Sequence, residues 1–228
     1  MLTKWIPTIG TTNRLINLPL NDNPFQQPTP LEHSIYFRPG MGTEAVSPLL
    51  RSLVQMVRPN RILEIGGGYT TPFLLQGLVN NEFVFDDGNL DPSYFIEYKY
   101  EAKLVVIDDM SQGKLAKQPG MEEILNSKYV DYIEGLFQGK SQLLYKKYRS
   151  FDFVWFDCGS RQEYLEFFDE YWSICSKYVI FHYTYSDGRP NKKYETIYSK
   201  ISKECEVLNI IEPHKKRQGS ITIVKKPK

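Results

Sequence analysis

The stretch from Arg61 to Leu75, RILEIGGGYTTPFLL, decides how this chain folds. Its first five residues are mostly apolar, the three glycines Gly66, Gly67 and Gly68 follow, and an apolar, helix-compatible segment comes next. The pattern predicts a buried strand, a tight turn and the start of a helix. Glycine lets the backbone come close to a bound molecule, and open α/β sheets bind ligands where their strands end. The turn therefore predicts a ligand-binding edge of a sheet.

Strands and helices alternate along most of the remaining chain. A helix is predicted at 44–57, and apolar runs predict strands at 61–65, 104–109, 129–135, 151–157 and 177–183. Repeated βα units form mainly parallel sheets with helices on both faces. The last two strands, 204–211 and 219–226, are joined by a segment too short for a parallel crossover. The expected fold class is an α/β, Rossmann-like sheet of seven strands, mainly parallel, with an antiparallel last strand.

The chain divides into an N-terminal arm and one domain. Residues 1–43 are predicted to form an arm or lid, because repeated prolines interrupt any helix there. Residues 44–228 form the predicted domain. Successive strand ends are about 25 residues apart, but the first interval is longer by about 15–20 residues. We place the resulting insertion at about 80–103, near the mouth of the site.

Composition limits the partners of this protein. The 228 residues carry a net charge of +1, which predicts no nucleic-acid partner. No apolar run is long enough for a membrane span, and the first residues do not form a signal peptide. The 3 cysteines lack ligand or disulfide spacing, which predicts a reduced, cytoplasmic protein. A homodimer through the 44–57 helix or the arm is a further prediction.

Acidic side chains end the second predicted strand. Asp108 and Asp109 stand at its tip, where a carboxylate can accept both hydroxyls of a ribose. Asp86 is an alternative, because it follows the glycine turn by about 20 residues, the spacing of a nicotinamide-cofactor fingerprint. Asp108 is preferred, because it follows the longer apolar run and keeps the regular spacing to the later strands.

The third, fourth and fifth strand ends complete this edge. Glu134, Gly135 and Leu136 offer polar and apolar groups that can flank a flat base. Asp157 ends the fourth strand and is expected to face the crevice, as is His182 at the end of the fifth. Asp157 and His182 are the predicted catalytic residues, because either can take a proton from a substrate, and the histidine can act as a general base or as an orienting group.

Aromatic residues are predicted to form the walls of a substrate pocket. Tyr183 and Tyr185 follow the fifth strand, and Tyr36 lies in the arm. The further lid candidates are Trp5, Phe25, Phe37, Tyr94 and Tyr98. Amphipathic rings suit such walls, so the expected substrate is a small, partly aromatic molecule.

Five segments together carry a family resemblance: RILEIGGGYTTPFLL, LVVIDDM, YIEG, FDFVWFDCGSRQEYLEFFDEYW and YVIFHYTYSDG. They resemble a class I S-adenosylmethionine-dependent methyltransferase over residues 44–226. The chain is more closely similar to the small-molecule O-methyltransferase branch, including macrocin-type and catechol-type enzymes. In that branch the fourth strand ends in an aspartate before a tyrosine-bearing helix, as in Asp157 to Tyr164. The resemblance implies transfer of a methyl group from S-adenosylmethionine (SAM) to a hydroxyl or amine of a small molecule, leaving S-adenosylhomocysteine (SAH).

The resemblance also implies which residues contact the cofactor. Gly66, Gly68 and Tyr69 pass under its methionine part, Glu64 holds the amino end and Asp108 binds the ribose. Its adenine lies against residues 134–136, and the sulfonium and the acceptor lie near Asp157. The predicted cofactor-binding residues are Glu64, Gly66, Gly67, Gly68, Tyr69, Thr70, Asp108, Asp109, Glu134, Gly135, Leu136 and Asp157. Thr70 is a departure, because the family has a third glycine there.

Other hypotheses stay open beside this one. His182-Tyr183 stands where catechol-type enzymes carry Asp-Asn metal ligands, so no metal site is assigned, although Asp157, Asp108 and His182 are candidates to share an ion. A nucleotide-dependent oxidoreductase is an alternative, but Thr71 occupies a position where the dinucleotide fingerprint needs glycine. A non-catalytic cofactor-binding scaffold is a third hypothesis. Transfer to RNA or protein is disfavoured by the near-neutral charge.

Overall fold

The computed structural model describes residues 40–82, 100–215 and 218–227. Most of the predicted arm and of the predicted insertion lies outside these residues. The expectations for Tyr36, for the other aromatic lid candidates and for Asp86 therefore fall outside the described residues too.

Helices and strands alternate from residue 46 onward, as the sequence predicts. The helices are α1 (Val46–Val57), α2 (Thr71–Asn80), α3 (Met121–Leu125), α4 (Ser141–Tyr148), α5 (Arg161–Glu170) and α6 (Lys192–Lys200). The strands are β1 (Arg61–Ile65), β2 (Lys103–Asp108), β3 (Val130–Glu134), β4 (Phe151–Phe156), β5 (Cys175–His182), β6 (Tyr185–Ser186), β7 (Arg189–Pro190), β8 (Glu206–Ile211) and β9 (Ser220–Lys225).

Seven of the strands form one sheet in the order β3-β2-β1-β4-β5-β9-β8. Strands β1 to β5 are mutually parallel, whereas β9 runs antiparallel to both of its neighbours, β5 and β8. The predicted fold class is confirmed, including the terminal hairpin of β8 and β9. The chain moves outward from β1 in both directions, through β2 and β3 on one side and β4 and β5 on the other. Such a reversal of strand order opens a crevice at the carboxyl ends of the strands.

The sheet is covered on both faces by apolar side chains. Leu63 and Ile65 of β1 point into a core with α4 and α5, which centres on the fully buried ring of Phe156. Ile62, the intervening residue, points to the opposite core, which α1 and α2 cover. This alternation on a strand buried on both faces explains why β1 reads as an almost continuous apolar run.

Helix α1 packs within its own chain. Leu50 and Val54 are fully buried against α2, so the apolar stripe that predicts this helix serves the core of the domain. The predicted homodimer through this helix stays a prediction. No helix in the described part of the chain is long and apolar enough to cross a membrane.

One element of the fold is not predicted from the sequence. After β5 the chain makes a small hairpin of β6 and β7, which pair antiparallel as Tyr185 with Pro190 and Ser186 with Arg189. Two-residue strands are too short to show alternating hydrophobicity, so periodicity does not reveal them. The hairpin separates β5 from α6 and places the start of α6 beside the crevice.

Candidate active site

A cleft of about 510 Å³ opens along the carboxyl ends of β1, β2, β4 and β5. Its size is within the range of small-molecule and cofactor sites, roughly 300–1,000 Å³. Ten of the predicted site residues line it: Gly66, Gly67, Gly68, Tyr69, Thr70, Asp108, Asp109, Asp157, His182 and Tyr183. The structure therefore brings together the glycine turn and three of the strand tips that the sequence predicts.

The glycine turn fits tightly beneath this cleft. Gly66 has a φ of 91°, and a Cβ added there would lie 2.3 Å from the carbonyl oxygen of Asp157. A Cβ on Gly67 would approach side chains of β2 and of the following loop to 2.5 Å. Gly68 differs, because a Cβ there meets no atom within 4 Å. Gly66 and Gly67 thus have no room for a side chain, whereas the cleft wall is open at Gly68.

Glu64 lies underneath the turn and not in the cleft. Its side chain is fully buried, and its Oε1 accepts a hydrogen bond of 2.5 Å from the hydroxyl of Thr70. Burial raises its pKa to about 8, which keeps the carboxyl group protonated at neutral pH. Glu64 Oε2 is buried without a hydrogen-bond partner among the described residues. The cofactor contact that the resemblance implies for Glu64 stays a prediction.

The second strand ends as the sequence predicts. Asp108 lines the cleft, and its Oδ1 accepts a 3.0 Å hydrogen bond from the backbone N–H of Met110. Asp109 is exposed and accepts a similar bond of 2.8 Å from the N–H of Ser111. These bonds fix both carboxylates at the mouth of the cleft.

The third strand ends beside the main cleft. Gly135 and Leu136 line a small recess that adjoins it and shares Gly66 and Asp109 with it. Glu134 does not line either space, and its carboxylate forms an exposed salt bridge of 3.4 Å with Lys114. Gly135 and Leu136 therefore lie beside the cleft and Glu134 faces solvent, and the predicted role of these three residues in framing a flat base stays a prediction.

Asp157 and His182 form a close polar pair in the cleft wall. His182 Nδ1 lies 2.6 Å from Asp157 Oδ1, and His182 Nε2 lies 2.9 Å from the backbone carbonyl oxygen of Gln218. Both partners offer acceptor oxygens, so the geometry favours donation by both ring nitrogens, as in the protonated imidazole. Burial opposes this charge, but the carboxylate of Asp157 and the Gln218 carbonyl raise the pKa of His182 above its usual value.

Tyr183 turns sharply at the end of β5. It has a φ of 53°, which is strained for a bulky side chain. The backbone is held there by a 2.8 Å bond from its N–H to the carbonyl of Ser220, and by a 2.8 Å bond from the Asn191 side chain to its carbonyl. The strain therefore places the ring of Tyr183 in the cleft wall. Tyr185 does not line the cleft, and its ring packs 5.1 Å from that of Tyr194.

Several cleft residues are absent from the sequence predictions. Lys193 enters from the first turn of α6, Glu163 from α5, Thr43 from the segment before α1, and Gln218 from the β8–β9 connection. None of them stands at the end of a parallel strand, so the rule that finds strand-tip residues does not reach them.

The part of the chain that the structure describes contains no group of three or more His, Cys, Asp or Glu side chains arranged to hold a metal ion. The buried imidazole of His182 is committed on both nitrogens. The three candidates for a shared ion, Asp157, Asp108 and His182, therefore do not converge in this structure.

Comparison with solved structures shows the same fold in methyltransferases. An O-methyltransferase from Bacillus cereus in complex with SAH is 19% identical, with a TM-score of 0.58 over 80% of this chain and 81% of that one. The O-methyltransferase TomG from Streptomyces achromogenes, involved in tomaymycin synthesis and in complex with SAM, is 16% identical, with a TM-score of 0.55 over 80% and 79%. An SAH-bound methyltransferase from Podospora anserina is 15% identical, with a TM-score of 0.53 over 79% and 77%.

These likenesses define the class of fold: the chain has the architecture of the class I methyltransferases. No protein-family model matches the sequence, and no curated protein matches it either. At such low identity the comparison establishes the fold, and the function has to be argued from the site.

Proposed function

We propose that this protein is a SAM-dependent methyltransferase that methylates a hydroxyl group of a small molecule. The observation that carries the proposal is the convergence of Gly68, Asp108 and Asp157 on one cleft, at the strand reversal of a methyltransferase sheet. The solved structures of this fold that are named as methyltransferase complexes hold SAM or SAH, which supports the same cofactor here.

The cleft fits such a cofactor. Gly68 leaves open space above the turn, where the methionine part can lie close to the backbone. Asp108, at the tip of β2, is placed to accept the two hydroxyls of a ribose. Gly135 and Leu136 stand at the end of β3 beside the cleft, and we assign the adenine to their side of it. When bound, SAM supplies a methyl group that is already activated on a sulfonium.

The protein then has to orient the acceptor and remove its proton. Asp157 lies between the glycine turn and β5 and is partly exposed to the cleft, so its carboxylate is the group that accepts the proton of the acceptor hydroxyl. His182 is nearly fully buried and has no nitrogen free to act as a base. We therefore assign it to positioning Asp157, whereas the sequence suggests either a base or an orienting group.

The walls of the cleft favour a small, partly aromatic acceptor. Tyr69 lines it with a ring that packs 5.2 Å from Phe73, and Tyr183 contributes a second ring. These aromatic faces can pack against a flat acceptor and limit the access of water.

The cofactor is the first property to test. A saturating concentration of SAH, about 100 times its Kd, is expected to raise the melting temperature by roughly 5–10 °C. NADH at the same concentration is expected to leave it unchanged. A matched variant, Asp108→Ala, is expected to lose most of the SAH shift, because it removes the ribose acceptor.

Other results of the same test would favour one of the alternative functions. Stabilisation by NADH without stabilisation by SAH would support the oxidoreductase alternative and reject the proposal. Stabilisation by SAH without methyl transfer to any of a broad set of phenols, catechols and hydroxy acids would favour a non-catalytic scaffold.

A further inference from the structure

Among the described residues that line the cleft there is one lysine, Lys193, and its setting is unlike that of a solvated surface lysine. Its Nζ lies 5.2 Å from the centre of the Tyr164 ring and 5.0 Å from that of Tyr183. Tyr164 is fully buried beneath the cleft, and Tyr183 is fixed by its strained backbone. The two rings attract the ammonium group by cation–π interaction and shield it partly from water. This desolvation lowers the pKa of Lys193.

The ammonium of Lys193 has no anionic partner among the described residues, although three acidic groups face it. These are Asp157, Glu163 and the thiol of Cys158, which burial keeps neutral by raising its pKa. The Asp157 carboxylate bonds to His182, and the Glu163 carboxylate accepts a 2.5 Å hydrogen bond from the N–H of Ser160. Both carboxylates are thus engaged elsewhere.

The position of Lys193 in the fold assigns it to one half of the cleft. The residues proposed for the cofactor stand on the turn after β1 and at the ends of β2 and β3. Lys193 belongs to α6, which follows β5, so β4 and its Asp157 lie between the lysine and the glycine turn. The ammonium group therefore belongs to the acceptor half of the cleft.

We propose that Lys193 selects methyl acceptors that carry a carboxylate group beside the hydroxyl that is methylated. A partly buried charge without a partner is unfavourable, and an acceptor carboxylate supplies that partner. The arrangement directs the carboxylate to Lys193 and the hydroxyl to Asp157. This inference rests on the proposed function and narrows its substrate class to small hydroxy acids.

The test compares matched acids and amides. SAH-saturated protein is titrated calorimetrically with 2-, 3- and 4-hydroxybenzoate and with the corresponding hydroxybenzamides, which keep the shape and lack the charge. At least one acid is expected to bind about tenfold or more tightly than its amide, the scale of a charge-assisted hydrogen bond. In Lys193→Gln this preference is expected to fall below about twofold.

Two further variants isolate the charge. Lys193→Arg keeps a cation that cannot deprotonate, and it is expected to retain the acid preference. Lys192→Gln, a change at the exposed neighbouring residue of α6, is expected to behave like the wild type. The affinity for SAH is expected to stay unchanged in all three variants.

Three outcomes would overturn the inference. They are the absence of any acid preference in the wild type, an acid preference that survives in Lys193→Gln, and a loss of SAH affinity in Lys193→Gln, which would place the lysine on the cofactor carboxylate. Failure of the wild type to bind SAH at all would instead reject the proposed function.

Discussion

The imidazole of His182 lies between a carboxylate and a backbone carbonyl, 2.6 and 2.9 Å away. This geometry distinguishes a positioning role from a base role, because a base needs a neutral ring with a free lone pair. A protonated His182 holds the carboxylate of Asp157 in one orientation. The residue was found from its place at a strand end, but its protonation depends on Gln218, which no local pattern connects to it.

The protonation state of His182 can be measured without an acceptor. The C2 proton of its ring, identified by loss of the signal in His182→Asn, is followed by NMR from about pH 5 to pH 9. The pKa is expected above the ordinary 6.5, and Asp157→Asn is expected to lower it, because it removes the carboxylate that stabilises the charged ring. Asp109→Asn, a change at an exposed carboxylate of the same cleft, is expected to have little effect.

A wild-type pKa below 6.5 would show a ring that is neutral at pH 7 and would restore His182 as a candidate base. A pKa that Asp157→Asn leaves unchanged would show that the Asp157 carboxylate does not hold the proton on the ring. The same pKa has a consequence for stability. Because the pKa of His182 is raised in the folded chain, the ring stabilises the fold when it is protonated. This contribution to the free energy of unfolding is fully present below about pH 6.5 and is lost as the pH rises through the raised pKa.

The buried carboxyl group of Glu64 leads to a second prediction, which concerns the pH dependence of stability. Its pKa is about 8 in the folded chain against 4.5 as the ordinary value, so between them the folded state binds a proton that the unfolded state lacks. The free energy of unfolding therefore falls as the pH rises from 5 to 8. Glu64→Gln, which mimics the protonated group, is expected to reduce this fall by at least about 1.4 kcal/mol, the equivalent of one pKa unit.

Urea denaturation at several pH values measures this difference, and Glu123→Gln, at an exposed position of α3, is the matched control. Equal pH dependence in wild type and Glu64→Gln would mean that the buried carboxyl group is ionised in the folded protein.

At the scale of the element, two glycines of the turn between β1 and α2 are expected to have different roles. Gly66 is needed for stability, and Gly68 is needed for binding of the cofactor. Gly66→Ala places a methyl group against the carbonyl of Asp157 at a φ of 91°, so we expect a loss of roughly 2 kcal/mol or more of stability. Gly68→Ala meets no protein atom within 4 Å, so we expect its stability to stay within about 1 kcal/mol of the wild type.

Binding of SAH is expected to weaken about tenfold in Gly68→Ala, because the added methyl group occupies space that the cofactor needs. Thermal unfolding and calorimetric titration of both variants provide the two measurements. Unchanged SAH affinity in Gly68→Ala would contradict the placement of the cofactor over the turn.

At the scale of the whole molecule, the central strands β1, β2, β4 and β5 can be predicted from the sequence because each of them buries a run of apolar residues. The turn, Asp108, Asp157 and His182 follow from one rule, that parallel strands present their carboxyl ends at one edge. Glu64 shows the limit of that rule, since its burial beneath Thr70 is a matter of packing. Lys193 and Gln218 are missed for a related reason: distant segments bring them to the cleft, and local periodicity does not record such contacts.

The approach of Gly42 to Gln218 has a consequence for sequence divergence. A Cβ on Gly42 would lie 2.1 Å from the same carbonyl oxygen that accepts the Nε2–H of His182. A side chain at position 42 would therefore displace the carbonyl to which His182 donates. Positions 42, 182 and 218 are structurally coupled, although they are far apart in the chain. Among relatives that keep this histidine contact, we expect position 42 to remain glycine, and relatives that lose the glycine to have changed the histidine as well.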